Sequence, residues 1–598
     1  MTKAITISDE AEKPSAELHG LARKALARGD FDAAEMHLGE AFEADEHDAT
    51  AMTIMSDVWK ERGDEMQATG YAVLAINTDS DNLEAKKKFL HLAANMSFTH
   101  HNPKVESALI SCLETDGLEF GGANVLWGNA LLINPDFSAL FAQVMRKRIL
   151  PVWSNPFNDV DDFSPLLNAF FLRGLREIVV CFLPFEQFIT HLRAFLLEQA
   201  EAPKKKLKQE DLSALTRAMA RYSFHTDYIL DISDKEKKKV DALRGKVEGG
   251  ALDADDVALL ACYVPLYALE NAGDIEAKYA SEAGDMGAIV DEQIAEYNKL
   301  KSRAEAIEAA TPIDDEISEK VKGMYESFPY PRWRELEETH FNWRIWEKDA
   351  LSARGAQGLV AGCGTGRESA QLAAAFPDAE ILAVDITCAS LAYAMEKSEK
   401  YDLKNLTYRQ ADILRLADLG KQFDYIHSVG VLHHMNDPEK GWEILTGLLK
   451  PGGIMHIGLY GETPRRAIVE ARQAVASGKY PPTPEGMRQF RKDSAKLLKP
   501  ESLATLLKAR DYYFLNMYSD LLFHVHEDRF TIGRIKTALE KMGLVFKGFK
   551  LPDPVLERYA QMFPADTQGT SLDNWEAFEK EYPDTFIHSY KFWCVKPE

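Results

Sequence analysis

The sequence has little of what marks a secreted, membrane-spanning or nucleic-acid-binding protein. Cysteine is scarce, with six in 598 residues, at positions 112, 181, 262, 363, 388 and 594. None forms a CxxC pair or stands at metal-ligand spacing from a histidine. That argues against a disulfide framework and a zinc site, and six reduced thiols in a cytoplasmic protein are expected, with no metal. The opening MTKAITISDEAEKPS lacks an apolar core of signal-peptide length and turns acidic early. No apolar run reaches the roughly 18 residues a membrane span needs. Positive charge is in deficit, 70 Lys and Arg against 94 Asp and Glu, for a net charge of −24. Nucleic acid is held mainly through phosphate contacts from basic side chains, so it is not an expected partner. The densest basic cluster, Lys204, Lys205, Lys206 and Lys208, stands beside Glu201 and Glu210 and reads as a solvated loop or helix end.

A repeat opens the chain. Gly29-Asp30 recurs as Gly63-Asp64, Ala41 as Ala75 and Ala51 as Ala85, each 34 residues on. This is the period of a tetratricopeptide helix pair. Ala33, Ala34 and Ala41 allow close helix approach, and Leu21, Ala25, Leu26, Leu38 and Phe42 supply an apolar stripe. Residues 1–95 are therefore expected to be tetratricopeptide-like helical repeats, with a generic pair of helical hairpins as the alternative. Repeats of this kind offer a surface to a protein partner. Residues 96–310 keep a helical pattern, punctuated by Pro151, Pro156, Pro165 and Pro184, and carry no catalytic motif. The charged, Ala-rich stretch 292–310 predicts a helix that Thr311-Pro312 ends.

From residue 358 short apolar strands alternate with helices, as in a doubly wound sheet. GLVAGCGTG (358–366) is a strand running into a glycine turn, with a helix beginning near Arg367. Gly362, Gly364 and Gly366 let backbone approach a ligand with no Cβ in the way. The next strand, 381–384, ends at Asp385, about 20 residues after the turn, where a ribose diol would be gripped. A third strand leads to Asp412, placed to accept from an adenine amino group. Then come FDYIHS (423–428), VLHH (431–434) and LLKPGG (448–453), a turn into a further strand.

In this order and spacing the landmarks resemble the class I S-adenosylmethionine-dependent methyltransferases, strongly over 358–460 and onward through 544–550 and 586–595 as a final antiparallel pair. A nucleotide dehydrogenase shares the glycine turn but would not be expected to carry VLHHM followed by LLKPGG. Tyr325, Phe328, Tyr330, Pro331, Arg332 and Trp333 resemble the Y-E-x-x-P-Y-P-R-W element of large bacterial methyltransferases with tetratricopeptide repeats, as do DLLFHV (520–525) and YKFW (590–593). The implied architecture is α plus α/β. Its N-terminal α-helical repeat region precedes a doubly wound, seven-stranded, Rossmann-like methyltransferase domain over 311–598, with an aromatic N-terminal element (321–345) and an insert (461–530).

The resemblance also implies roles, with S-adenosyl-L-methionine as cofactor. Backbone of Ala361, Gly362, Gly364 and Gly366 holds its methionine part, Asp385 and Ile386 its ribose, and Asp412 and Ile413 its adenine. Ser428 and Val429 line the reaction centre. Many relatives carry an acidic residue where this chain has Val360, so the cofactor's ammonium loses its usual partner here. Tyr325 and Arg332 are expected in a lid, an aromatic face meeting the sulfonium and Arg332 pairing with the cofactor carboxylate. The alternative is that 325–333 packs an interdomain joint. Methyl transfer needs alignment and exclusion of water, and a base only when the acceptor arrives protonated. His433 and His434 are the candidates for that base; capping and packing are the alternatives. His524 and His526, in the insert, are weaker ones. The insert is expected to choose the acceptor. No Asn-Pro-Pro-Tyr signature of amide and base amino methylation occurs. The acceptor is unidentified, a small molecule being favoured over a protein side chain. The competing reading is a repeat-mediated scaffold that binds cofactor without turnover.

Overall fold

A computed structural model describes residues 14–94, 96–146, 155–202, 206–327, 333, 335–336, 345–587 and 589–598. The contacts divide the chain into two units. One comprises residues 1–223, 233–247 and 253–263; the other comprises 224–232, 248–252 and 264–598. Residues 264–310 thus group with the C-terminal unit.

The first unit is helical. It opens with α1 (Ser15–Ala27), α2 (Phe31–Ala44), α3 (Ala49–Glu61), α4 (Glu65–Thr78) and α5 (Leu83–Ala93). The starts of α3, α4 and α5 lie 34 residues after those of α1, α2 and α3. The reason is local: Asp30, Asp48, Asp64 and Asn82 each accept a hydrogen bond from the amide three residues on, capping the helix that follows. Ala34, Ala41 and Ala51 are buried with Leu18, Leu38, Ile54 and Val58, small residues bringing the helix axes close. Further along, Trp127, Phe137, Phe171, Phe185 and Phe188 pack ring against ring.

The second unit holds a seven-stranded sheet in the order β3-β2-β1-β4-β5-β7-β6. Its strands are β1 (Gln357–Ala361), β2 (Glu380–Asp385), β3 (Leu406–Gln410), β4 (Phe423–Val429), β5 (Leu449–Tyr460), β6 (Val545–Phe549) and β7 (Ser589–Val595). The first five are parallel, and β7 runs antiparallel between β5 and β6. The parallel strands are apolar on both faces because helices cover both. Leu359, Ala361, Ile426, Met455 and Ile457 enter one core and Val360, Ile381, Ala383, Tyr425 and Trp593 the other. The third strand ends at Gln410, so Asp412 caps the short 3₁₀ turn that follows rather than ending the strand. The helix foreseen over 292–310 is a π-turn at Asp291–Ala295 followed by a helix at Glu296–Glu305.

The insert after β5 forms four α-helices, at Arg466–Gly478, Pro484–Leu497, Pro500–Lys508 and Leu515–Phe523. The segment 224–232 belongs to the same unit and binds them. Thr226 accepts from the Leu515 amide, and the Tyr228 and Ile229 carbonyls accept from Arg488 and Arg491. Lys206 and Lys208 of the basic cluster are described, with Lys206 donating to the Val160 carbonyl; Lys204 and Lys205 lie outside the described residues. All six cysteines are free thiols. Among the described residues no helix is long and apolar enough to cross a membrane.

Candidate functional site

The carboxyl ends of the parallel strands gather the residues the sequence singled out. β1 stops at Ala361 and the chain turns through Gly362, Gly364 and Gly366, all at positive φ, into the Arg367–Ala375 helix. A Cβ on Gly362 would stand 2.4 Å from Val431 Cγ2. The turn and the loop after β4 therefore touch through a position only glycine fills.

Most polar groups of the turn are satisfied within the protein. Gly362 and Cys363 amides donate to the Val384 carbonyl, and the Ser428 hydroxyl donates to the Ala361 carbonyl at 3.1 Å. The Gly364 amide donates to Asp385 Oδ2 at 2.7 Å. Asp385 Oδ1 accepts from the Thr387 amide at 3.0 Å and from its hydroxyl. Burial pushes the Asp385 carboxyl above its ordinary pKa, against the pull of these donors. Asp385 thus shapes the turn as well as facing the strand ends. Ser428 is spent on β1, Val429 leans on Gly458, and the Ile386 carbonyl accepts from Gln410. The Ile413 side chain enters the core. Asp412 Oδ1 caps its own turn at Leu414, while Oδ2 is buried without a hydrogen-bond partner. Burial raises the Asp412 pKa.

Described residues of the aromatic element bond the glycine turn, the helix after Asp385 and the insert. Trp333 is buried and its indole N–H donates to the Thr365 carbonyl at 2.7 Å. Glu326 accepts from the Cys388 and Ala389 amides, at 3.1 and 3.3 Å, the first turn of the helix after Asp385. The Tyr325 hydroxyl donates to Asp520 in the insert. Arg332, with Phe328, Tyr330 and Pro331, lies outside the described residues.

Val360 is buried, and its neighbour across the sheet on β4 is His427. His427 bonds Glu368 at 3.0 Å, on the helix that follows the glycine turn. A carboxylate thus stands one strand and one helix turn from Val360.

Over the end of β4 lies a second polar group. His433 is fully buried, stacks on Tyr460 at 3.6 Å and accepts the Tyr460 amide at Nδ1, so it is a packing residue. His434 stacks on His524 at 3.7 Å between ring centres. One donor atom from each of His434, Asp520 and His524 lies within 4.8 Å of the others, and all three residues are buried. Asp520 and His524 stand four apart at the end of one helix, on the same face. Burial lowers the pKa of both His434 and His524. Asp511 is pushed up to about 6 by burial and by the Asp520 charge. Beneath them Arg465 and Glu527, each 1% exposed at the side chain, pair at 2.7 Å, and the Arg465 guanidinium lies 3.6 Å over the Tyr460 ring. Asp520 and Glu326 stand inside the motifs at 520–525 and 325–333 without a role legible there, and Glu527 in none; the i, i+4 spacing of Asp520 and His524 is the signal for the first.

Residues 354–498 match a family described as "Methyltransferase domain". An uncharacterized protein of Synechococcus sp. is 32% identical over 266 residues, covering 40% of this chain and 61% of that one. A trans-aconitate 2-methyltransferase of Deinococcus radiodurans is 36% identical over 102 residues, covering 17% of this chain and 37% of that enzyme. A ubiquinone biosynthesis O-methyltransferase of Brucella ovis is 28% identical over 163 residues, covering 26% and 60%. The chain spans about three-fifths of two of these relatives and less of the third. It carries a methyltransferase domain.

Proposed function

We propose that this chain transfers a methyl group from S-adenosyl-L-methionine to an acceptor bound under the 461–530 insert. The observation that carries the reading is the sheet. A dinucleotide-binding sheet runs 3-2-1-4-5-6; here an antiparallel β7 enters between β5 and β6, in a chain whose glycine turn is organised by Asp385. The residues fit the cofactor. Asp412 Oδ2 is a buried acceptor that makes no hydrogen bond of its own, with Ser318 near the carboxyl, and it matches an adenine amino donor. Asp385 keeps lone-pair capacity beyond its three bonds for a ribose hydroxyl. His427 and Glu368 bring a carboxylate near the position Val360 leaves apolar.

The bound cofactor supplies a methyl group already activated by its sulfonium. The chain's own residues then hold and enclose. Gly362 lets the β1 turn close against the loop after β4. Tyr325, Glu326 and Trp333 tie the aromatic element to the insert, the Cys388–Glu399 helix and the glycine turn, a lid that keeps water out. Glu326→Ala removes one helix cap, a loss of about 1 kcal/mol. We expect cofactor affinity to fall about fivefold by calorimetry with the melting temperature little changed; unchanged affinity would separate the element from the cofactor.

A small-molecule acceptor is favoured, because two of the matched relatives carry the names of enzymes acting on small molecules. The 34-residue helix offsets support tetratricopeptide repeats that serve assembly or recruit a protein partner. Methyl-labelled S-adenosylmethionine, incubated with this protein and a lysate from cells lacking its gene, tests both points. Label is expected in the small-molecule fraction. Label in a discrete protein band would make the repeats the substrate-recruiting element, and label in neither would turn the reading toward a scaffold.

A further inference from the structure

Residue His526 sets the protons of two other histidines. Its carbonyl, which can only accept, lies 3.0 Å from His434 Nδ1. His434 therefore carries its proton on Nδ1 and presents a lone pair at Nε2. The amide of the same residue, which can only donate, lies 3.1 Å from His524 Nδ1. His524 therefore carries its proton on Nε2, and that atom is buried with no hydrogen-bond partner. The two rings stack, and one backbone residue fixes an acceptor nitrogen on one and a donor nitrogen on the other. Burial keeps both rings neutral. Three donor atoms within 4.8 Å also suggest a divalent-cation triad. The proton on His524 Nε2 opposes that, because a metal needs the lone pair there.

We infer that the methyl acceptor is a hydroxyl oxygen held between His434 Nε2 and His524 Nε2–H, with His434 taking its proton. This rests on the methyl-transfer reading above. The selection follows from lone pairs. A hydroxyl donates its proton to His434, accepts from His524 with one lone pair and attacks with the other. An amine has a single lone pair, which attack consumes, and His524 would then face no acceptor, a buried unsatisfied donor. In the step, the oxygen–carbon bond forms as the sulfur–carbon bond breaks. The cofactor leaves as a neutral thioether and the hydroxyl proton rests on His434 before passing to solvent. Asp520 stabilises the imidazolium, and the Tyr325 hydroxyl holds Asp520. Both Nε2 atoms belong to buried rings, so the acceptor reaches them when the Tyr325–Asp520 contact opens.

The charged and titratable groups around His434 come from every neighbouring segment: His433 and Tyr460 beside it, Asp520 and His524 above, Glu527, Arg465 and Arg472 beyond. Burial, against the pull of Asp520, Glu527 and the His526 carbonyl, leaves the His434 pKa below its ordinary 6.5. A base with a lowered pKa is competent at neutral pH and is lost as pH falls. The acid limb of kcat/KM is therefore expected below 6.5, and His434→Gln should remove that limb and lower kcat by about 10²–10⁴-fold.

Three measurements test the inference. In the full chain labelled with ¹⁵N-histidine, ring signals of His434 and His524 are identified by their loss in His434→Gln and His524→Gln. Opposite neutral tautomers are expected at pH 7. The same tautomer in both, or a shift of both rings with zinc chloride, overturns the proposal. The second measurement uses ¹³C-methyl S-adenosylmethionine with a lysate from cells lacking the gene. An O-methyl resonance is expected. An N-methyl or S-methyl product overturns the hydroxyl assignment and leaves methyl transfer standing. Failure of the unmodified protein to bind S-adenosylmethionine by calorimetry overturns methyl transfer itself, and this inference with it.

Discussion

Asp385→Ala is expected to abolish cofactor binding in a protein that still folds. Two contributions add. The carboxylate accepts the Gly364 amide on one oxygen and the Thr387 amide and hydroxyl on the other, so its loss leaves the glycine turn without its anchor. It also removes the acceptor left for a cofactor ribose hydroxyl. Hydrogen bonds to a charged group contribute about 1.5–3 kcal/mol each. One such bond to the ribose amounts to a loss of about 10–10²-fold in affinity, and the relaxed turn adds to it. Asp385→Asn is expected to be almost as damaging. Both carboxylate oxygens face backbone N–H groups, so an amide in either orientation sets its NH₂ against a donor. Calorimetric titration measures both variants. An Asn variant within about threefold of the unmodified protein would show that Asp385 does not organise the turn.

Glu527→Ala is expected to destabilise the C-terminal unit most among single changes in the insert. The Glu527 side chain bonds Arg465 through both oxygens, at 2.7 and 3.2 Å, and lies within 3.8 Å of Arg472 and 3.6 Å of Arg529. Arg465 is shut from water. Removing its partner strands a buried guanidinium, which costs about 3–5 kcal/mol. The melting temperature of this unit should fall by on the order of 10 °C. The second test is the double replacement Arg465→Met with Glu527→Leu. Two apolar side chains need no charge partner, so much of the lost stability should return. The double variant should still lose activity, because Arg465 also holds the Tyr460 ring that His433 packs on. A single variant as stable as the unmodified protein would contradict the buried pair.

The parts legible in the sequence are those whose chemistry is local. Gly362, Gly364 and Gly366 lie within five residues, and a strand must precede them and a helix follow. The register β1 to β2 then puts Asp385 beside the turn. The 34-residue offsets appear as caps, because an Asp or Asn at a helix start acts on the amide three residues away. What stayed hidden depends on direction or distance. Ser428 was expected to face a ligand, yet at its register position the hydroxyl reaches the Ala361 carbonyl instead. Tyr325 was expected on the cofactor, and its hydroxyl meets Asp520, nearly 200 residues on. His434 and His524 were visible as residues and unreadable as a pair. Their tautomers are set by the amide and carbonyl of His526, a backbone position with no sequence signature. Val360 read as a missing acid. His427 and Glu368 bring a carboxylate near it through a strand pairing that spacing alone does not reveal.

The central claim is that the second unit is built for S-adenosylmethionine, and it can be tested without knowing the acceptor. The full chain is titrated calorimetrically with S-adenosylmethionine, with S-adenosylhomocysteine and with NAD⁺. One-to-one binding of the first two and none of the third is the predicted result, lost for both in Asp385→Ala. Binding of NAD⁺ in preference, or heats for S-adenosylmethionine unchanged by that substitution, would contradict the account.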